Sequence, residues 1–271
     1  METHAQKVDG IALHYPTVKK LLVDFLKDEI TNAGFSKGII GLSGGVDSAL
    51  AAALAVEALG KENLLAVKLP YKTSNPASVA DADAMIKLLG IRSATVDITP
   101  MVQPYIDGGK IADKTRKGNI MARERMIVLY DLSAVESALV IGTSNKTEML
   151  LGYGTQFGDL ACAVNPLGDL YKTQIWQLAE FMGLPKQIIE KKPTADLWEG
   201  QTDEDELGFS YKQVDLLLYN LIDERRNDED MIEMGFEKYF IEKVRRRVQL
   251  NQYKRRPPVI AKVSHRTINV D

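Results

Sequence analysis

Within one short stretch, Ser43-Gly44-Gly45-Val46-Asp47-Ser48 supplies two hydroxyls, a carboxylate and two residues without a Cβ. That set suits an anion. Glycines let backbone N–H groups converge, the hydroxyls add donors, and the carboxylate can hold Mg²⁺ against phosphate oxygens. The flanks say where the stretch sits. Gly38-Ile39-Ile40-Gly41-Leu42 is a short apolar run bounded by glycines, which reads as a buried parallel strand. Ala49 to Leu59 is dominated by alanine and leucine, with Gly60 as a stop, and reads as a helix. A glycine turn between them aims its amides from the positive end of that helix, and a phosphate is the expected guest. Read blandly, the same residues make a plain strand-to-helix turn with a serine N-cap. The spacing is neither the Walker loop nor the Rossmann fingerprint, since Gly-x-x-x-x-Gly-Lys-Ser/Thr is absent and no Gly-x-Gly-x-x-Gly follows this strand.

The surrounding pattern must build a frame for that turn. An amphipathic helix through Val18, Leu21, Leu22, Phe25, Leu26 and Ile30 precedes it. Leu64–Leu69 reads as a second strand, Ser74-Asn75-Pro76 to Leu89-Gly90 as a helix, and Ala94–Ile98 as a third strand. This rhythm makes an α/β protein with a doubly wound parallel sheet. Thr99 to Gly118, broken by Pro100, Pro104, Gly108 and Gly109, is expected to be a loop. Asn119 to about Ala134 follows as a long helix whose apolar residues cover more than one stripe, so it should be buried on two sides, either in the core or at a subunit interface. Ala138–Thr143 is the fourth strand, and the Ser144–Glu148 loop at its end should open onto the same crevice as the glycine turn. Beyond a glycine-punctuated loop, Gly152–Asp159, come a helix over Gln174–Met182, a polar loop over Pro193–Asp205, and C-terminal helices over Tyr211–Asp223, Asp228–Met234 and Phe236–Gln252. The tail from Lys254 to Asp271 is basic and proline-broken. One unit spanning 1–271 is expected, with its sheet core at about 36–190 and helices and tail at about 191–271.

Bulk properties narrow the function classes. Of 271 residues, 45% are hydrophobic, enough for a sizeable core, and the net charge of −3 argues against a chain built to grip nucleic acid or anionic membrane. No apolar run approaches the roughly 20 residues of a membrane span. The single cysteine, Cys162, excludes a disulfide framework within the chain and suits a reducing cytoplasm.

Ser-Gly-Gly-x-Asp-Ser resembles the signature of the ATP pyrophosphatases, the PP-loop enzymes that cleave ATP between its α- and β-phosphates. Further runs match one PP-loop family, the NAD synthetases: Asn119-Ile-Met-Ala-Arg-Glu-Arg-Met, Gly142-Thr-Ser-Asn-Lys-Thr-Glu, Gly152-Tyr-Gly-Thr-Gln-Phe-Gly-Asp, Gly168-Asp-Leu-Tyr-Lys-Thr, Lys192-Pro-Thr-Ala-Asp-Leu-Trp and Gly200-Gln-Thr-Asp-Glu. The resemblance implies an adenine nucleotide alpha hydrolase-like, Rossmann-like fold with a C-terminal helical segment. It implies ATP-dependent amidation of deamido-NAD with ammonia through an acyl-adenylate, releasing AMP and pyrophosphate. By the same resemblance, Gly41, Leu42, Ser43, Gly44, Gly45, Val46, Asp47 and Ser48 hold ATP together with Thr143, Lys172 and Thr194. Asp47 and Glu148 are the expected Mg²⁺ ligands, Lys172 the charge on the reacting phosphates, and Arg123, Gln156, Tyr253 and Lys254 the contacts to deamido-NAD. Gln156 and Ala163 stand where the short ammonia-using enzymes carry lysine and aspartate, and Tyr253 stands where they often carry histidine. A homodimer is implied, with the deamido-NAD site partly built across the interface. Other readings are the same chemistry on another acceptor, GMP synthetase-like or tRNA-modifying, and a synthetase subunit fed by a separate glutaminase.

Overall fold

The strand–turn–helix around the glycines forms as its sequence implies in the computed structural model, which describes residues 11–194, 198 and 202–263. Strand β1 (Gly38–Gly41) leads into helix α2 (Val46–Leu59), and β2 (Leu64–Lys68), α3 (Pro76–Leu89) and β3 (Arg92–Thr95) follow. With β4 (Leu139–Ile141) they make a parallel sheet in the order β3-β2-β1-β4. Ile39 faces Leu65 on one side and Val140 on the other. Ile39 and Ile40 are both fully buried, as a strand covered on two faces by helices must be. The caps work as read: the Asn75 side chain accepts from the Ala77 amide at 2.9 Å, Pro76 opens α3, and Gly90 closes it in the left-handed region. A parallel bridge between Ile141 and Val164 extends the sheet beyond β4.

Three expectations need correction, two of them in the first half of the chain. The stretch read as a loop is mostly helical, with α4 at Thr99–Gly108 and α5 at Lys114–Glu136. Pro100 lies in the first turn of α4, where its missing N–H is harmless, and the bend Pro104 imposes is outweighed by burial of Ile98, Val102, Ile106 and Ile111 against Tyr71, Met121 and Val128. β3 lies two residues ahead of its expected place, because Ile98 leaves the sheet to head this small core.

Helix α5, capped by the Asp113 side chain on the Arg116 amide at 2.7 Å, buries only one side within the chain. Met121, Ala122 and Val128 face inward, while Ile127 is 54% exposed and Tyr130 and Val135 are also uncovered. Helix α6 (Lys146–Leu151) follows β4, and α7 (Lys172–Phe181) precedes a short α8 (Lys186–Ile189). The expected polar loop ends earlier than read, because α9 (Asp203–Leu207) starts on Thr202, whose hydroxyl accepts from the Asp205 amide. Helices α10 (Tyr211–Leu218), α11 (Asp228–Glu233) and α12 (Lys238–Leu250) complete the described chain, with a π-turn at Tyr219–Asp223. Tyr211, Val214, Ile241 and Val244 share one apolar core with Leu50 and Leu54 of α2, and α7 is the bridge, packing on α2 on one side and on α10 on the other. Among the described residues, no helix is long and apolar enough to cross a membrane. The motif positions 195–197 and 199–201 and the tail 264–271 lie outside the described residues.

Candidate active site

The turn after β1 is closed by its own hydroxyls. Ser48 Oγ donates to the Gly45 carbonyl at 3.0 Å, accepts from the Ser43 amide at 3.2 Å and lies 3.1 Å from Ser43 Oγ. Gly44 has φ +79°, and a Cβ there would stand 2.1 Å from the Ser78 carbonyl oxygen, so only glycine fits where α3 crosses the turn. No side chain caps α2 at Gly45, which leaves its first-turn amides free for an anion.

Beside the turn lies a cluster of charges. Asp47 Oδ1 accepts from Asn145 Nδ2 at 2.9 Å, and Asp47 Oδ2 accepts from Lys172 Nζ. Lys172 Nζ is also 3.8 Å from Glu148 Oε1. The fully buried Asn145 and the partly buried Glu148 form a reciprocal capping box at the start of α6, Asn145 Oδ1 accepting from the Glu148 amide at 2.9 Å and Glu148 Oε2 from the Asn145 amide at 3.2 Å. One asparagine thus orients both carboxylates. Lys172 is only 2% exposed and lies 5.6 Å over the Tyr211 ring. Burial opposes its charge, but the fields of Asp47, Glu148 and Asp203 outweigh burial and hold its pKa above the ordinary lysine value. Glu148 is pushed well above the usual carboxylate range, first by burial and then by the charge of Asp47. Asp203 is also raised, chiefly by burial, while accepting from Tyr153 and Tyr211 hydroxyls at 3.0 Å each.

This cluster sits where the strand order reverses. β1 is followed outward by β2 on one side and by β4 on the other, and Asp47 and Glu148 stand just past the C-terminal ends of β1 and β4. That switch point is the general ligand crevice of open parallel sheets. Here it is a cleft of about 600 Å³ whose wall includes Ser43, Asp47, Thr143, Glu148, Lys172 and Thr194. The size and mixed lining suit a nucleotide.

Residues 18–258 match the NAD synthase family pattern. The chain belongs to the NAD synthase family. It is 56% identical to the NH(3)-dependent NAD(+) synthetase of Trichlorobacter lovleyi over 254 residues, which cover 94% of this chain and 93% of that one. A solved NH3-dependent NAD synthetase from Campylobacter jejuni, in complex with the nitrate ion, superposes with a TM-score of 0.79 at 34% identity, covering 93% of this chain and 100% of the other. The NMN synthetase of Francisella tularensis superposes with a TM-score of 0.82 at 32% identity, covering 92% and 99%.

Within this NAD synthase fold the residues implied by motif divide into two groups. Gly41, Leu42, Ser43, Gly45, Val46, Asp47, Ser48, Thr143, Glu148, Lys172 and Thr194 line the cleft, and Gly44 shapes the turn from behind. Lys254 lines it too, donating to the carbonyls of Gly152 at 2.7 Å and Gly154 at 2.9 Å. It pins the glycine loop, and burial lowers its pKa. Arg123, Gln156 and Tyr253 lie outside the cleft wall. Arg123 is exposed, its Nε donating to the Gln156 carbonyl at 3.3 Å, and Tyr253 is 59% exposed. Arg125, in contrast, lines the cleft and donates to the Leu69 carbonyl at 3.0 Å. Residues two apart on a helix point to different faces, so only one of the two arginines can face inward.

Sequence reasoning missed three residues at this site: Asn145, Asp203 and Lys191. The Asn-x-x-Glu spacing of a capping box was the available signal for Asn145. Lys191 Nζ donates to Asp81 Oδ2 at 2.8 Å and to Ser78 Oγ at 3.1 Å beside the Gly44 carbonyl, contacts that no local pattern shows.

Proposed function

We propose that this protein amidates deamido-NAD to NAD with ammonia, at the expense of ATP, which leaves as AMP and pyrophosphate. The observation that carries the reading is the buried Lys172 ammonium held by Asp47 beside a glycine turn at the sheet's switch point. A nicotinate carboxylate oxygen attacks the α-phosphorus of ATP, and the bond to the bridging oxygen of pyrophosphate breaks. Ammonia then attacks the acyl carbon, AMP departs with that carboxylate oxygen, and one proton is released. Negative charge builds on phosphate oxygens in the first step. The chain's part is to place amides from the α2 N-terminus and the fixed Lys172 charge where it builds. Thr143 and Thr194, on the cleft wall, are positioned to hold the rest of the nucleotide.

The carboxylate pair fits a magnesium ion. Asp47 and Glu148 are hard oxygen donors in the first turns of α2 and α6, and both converge on the Lys172 ammonium. They would hold the ion, which when bound neutralises pyrophosphate charge and polarises the phosphoryl oxygens.

We further propose that the chain acts as one unit and pairs with a second copy through the open side of α5. Arg123, Ile127, Tyr130 and Ala134 recur at helical spacing, and Ile127, Tyr130 and the nearby Phe157 are exposed apolar side chains. Arg123 and Gln156 border that surface, so a partner would turn them from an open face into a dinucleotide pocket. The soluble substrates and the single reduced cysteine suit the cytoplasm.

The test is product analysis of the purified protein with ATP, Mg²⁺ and deamido-NAD, using ammonium or glutamine as nitrogen source. NAD, AMP and pyrophosphate with ammonium, and little with glutamine, are expected. ADP as product, or faster turnover with nicotinic acid mononucleotide than with the dinucleotide, would overturn the reading.

A further inference from the structure

A single buried carboxylate ties the C-terminal helices to the reacting charges. Asp215 on α10 is fully buried. Its Oδ1 accepts from Thr147 Oγ1 at 2.6 Å, and its Oδ2 accepts from the Thr173 amide at 2.8 Å. Thr147 Oγ1 in turn accepts from the Lys172 amide at 3.0 Å. Thr147 is the residue before Glu148 and Thr173 the residue after Lys172, so Asp215 grips the first turns of the two helices, α6 and α7, that carry the charge pair. One helical turn earlier, Tyr211 lies under the Lys172 ammonium and donates to Asp203. The same face of α10 thus supports Lys172 at its main chain and at its side chain.

A buried acid is an expensive way to join three helices, because removing a carboxylate from water costs more than apolar packing of the same volume. If joining were the task, a leucine would do it. What a carboxylate adds is direction. Its two oxygens fix one hydroxyl and one amide, and through them the start of α7 relative to the start of α6. We propose that Asp215 is a positioning residue for the adenylation step, acting through the Thr147 hydroxyl to set Lys172 and Glu148 against the α-phosphate. This rests on the function proposed above, in which those two groups serve phosphoryl chemistry.

The test compares Asp215→Asn, Thr147→Val, Thr147→Ser and the double variant Asp215→Asn/Thr147→Val with the parent, reading kcat for pyrophosphate release, KM for each substrate and the melting temperature. Displacing a fixed charge by an ångström or less lowers kcat by about 10- to 100-fold, and that loss is expected for Asp215→Asn and Thr147→Val, with both KM values within about threefold of the parent. Thr147→Ser, which keeps the hydroxyl, should return kcat to within about threefold. The double variant should lose no more than the worse single one, since both break one chain of contacts. Parental kcat in Thr147→Val, failure of serine to rescue, or a double loss equal to the product of the singles would overturn the proposal. Should Asp215→Asn not fold, the valine and serine pair at 147 decides the matter alone. A parent that makes no NAD contradicts the proposed function, whereas an active parent with an unaffected Thr147→Val contradicts only the role of Asp215.

Discussion

The cleft and the open surface beside it are built to different standards. In the cleft the charges beside the glycine turn hold one another: Lys172 has Asp47 and Glu148, both carboxylates have Asn145, and the turn is closed by Ser43 and Ser48. On the open surface Arg123 has one long hydrogen bond to a carbonyl, Tyr253 is exposed, and Phe157 is 58% exposed at a positive φ of 61°. Phosphoryl chemistry depends on charges fixed before the substrate arrives, so preorganisation belongs in the cleft. Recognition of a large dinucleotide can be completed later by the ligand or a second copy, and in the reading proposed above the open surface beside the cleft serves it.

The contrast predicts where substitutions hurt most. Lys172→Met should abolish turnover, with a loss of about 10³-fold or more in kcat, and also destabilise the fold by about 3 kcal/mol because two partly buried carboxylates lose their cation. Single-turnover pyrophosphate release and chemical denaturation would measure the two effects, and a variant with near-parental kcat would show that the charge cluster in the cleft is not the chemical one. Ile127→Lys, on the open face of α5 outside the cleft, should do less. It should yield monomers by light scattering and raise KM for deamido-NAD about tenfold while leaving KM for ATP alone. A monomer with parental KM would mean that the dinucleotide site is complete within one chain.

The smallest effect concerns pH. Burial raises the Asp215 carboxyl to about 6 despite its hydrogen bonds from Thr147 and Thr173. Since this exceeds the unfolded value of about 3.9, the group's contribution to stability is fully present below about pH 4 and is lost as pH rises through 6, an effect on the order of 2 kcal/mol. Urea unfolding from pH 4.5 to 7.5 should show the parent losing stability relative to Asp215→Asn over that interval. Parallel curves would place the carboxyl's titration elsewhere.

How much of this was legible in the sequence depended on how far apart the interacting residues lie. β1, the glycine turn, α2 and the capped α3 could be read because their signals are local: a short apolar run, adjacent glycines, Asn75-Pro76 and Gly90. α4 could not, since Pro100 and Pro104 speak against a helix and only the packing of Ile106 and Ile111 on α5 speaks for it. Asp47, Glu148 and Lys172 were reached through family motifs. Which arginine of α5 faces the cleft depends on the rotation of the helix against the sheet: Arg125 lines it, while Arg123, the motif residue, lies on the open side. Asp215 acts on Thr147 across 68 positions of chain, a contact no spacing announces.

The account turns on a carboxylate oxygen of the substrate attacking the innermost phosphorus of ATP beside Asp47 and Lys172. Deamido-NAD labelled with ¹⁸O in its nicotinate carboxylate, turned over with ammonium and ATP and analysed by mass spectrometry, tests this directly. The expected result is one labelled oxygen in AMP and none in pyrophosphate. Unlabelled AMP, or label in inorganic phosphate beside ADP, would contradict it.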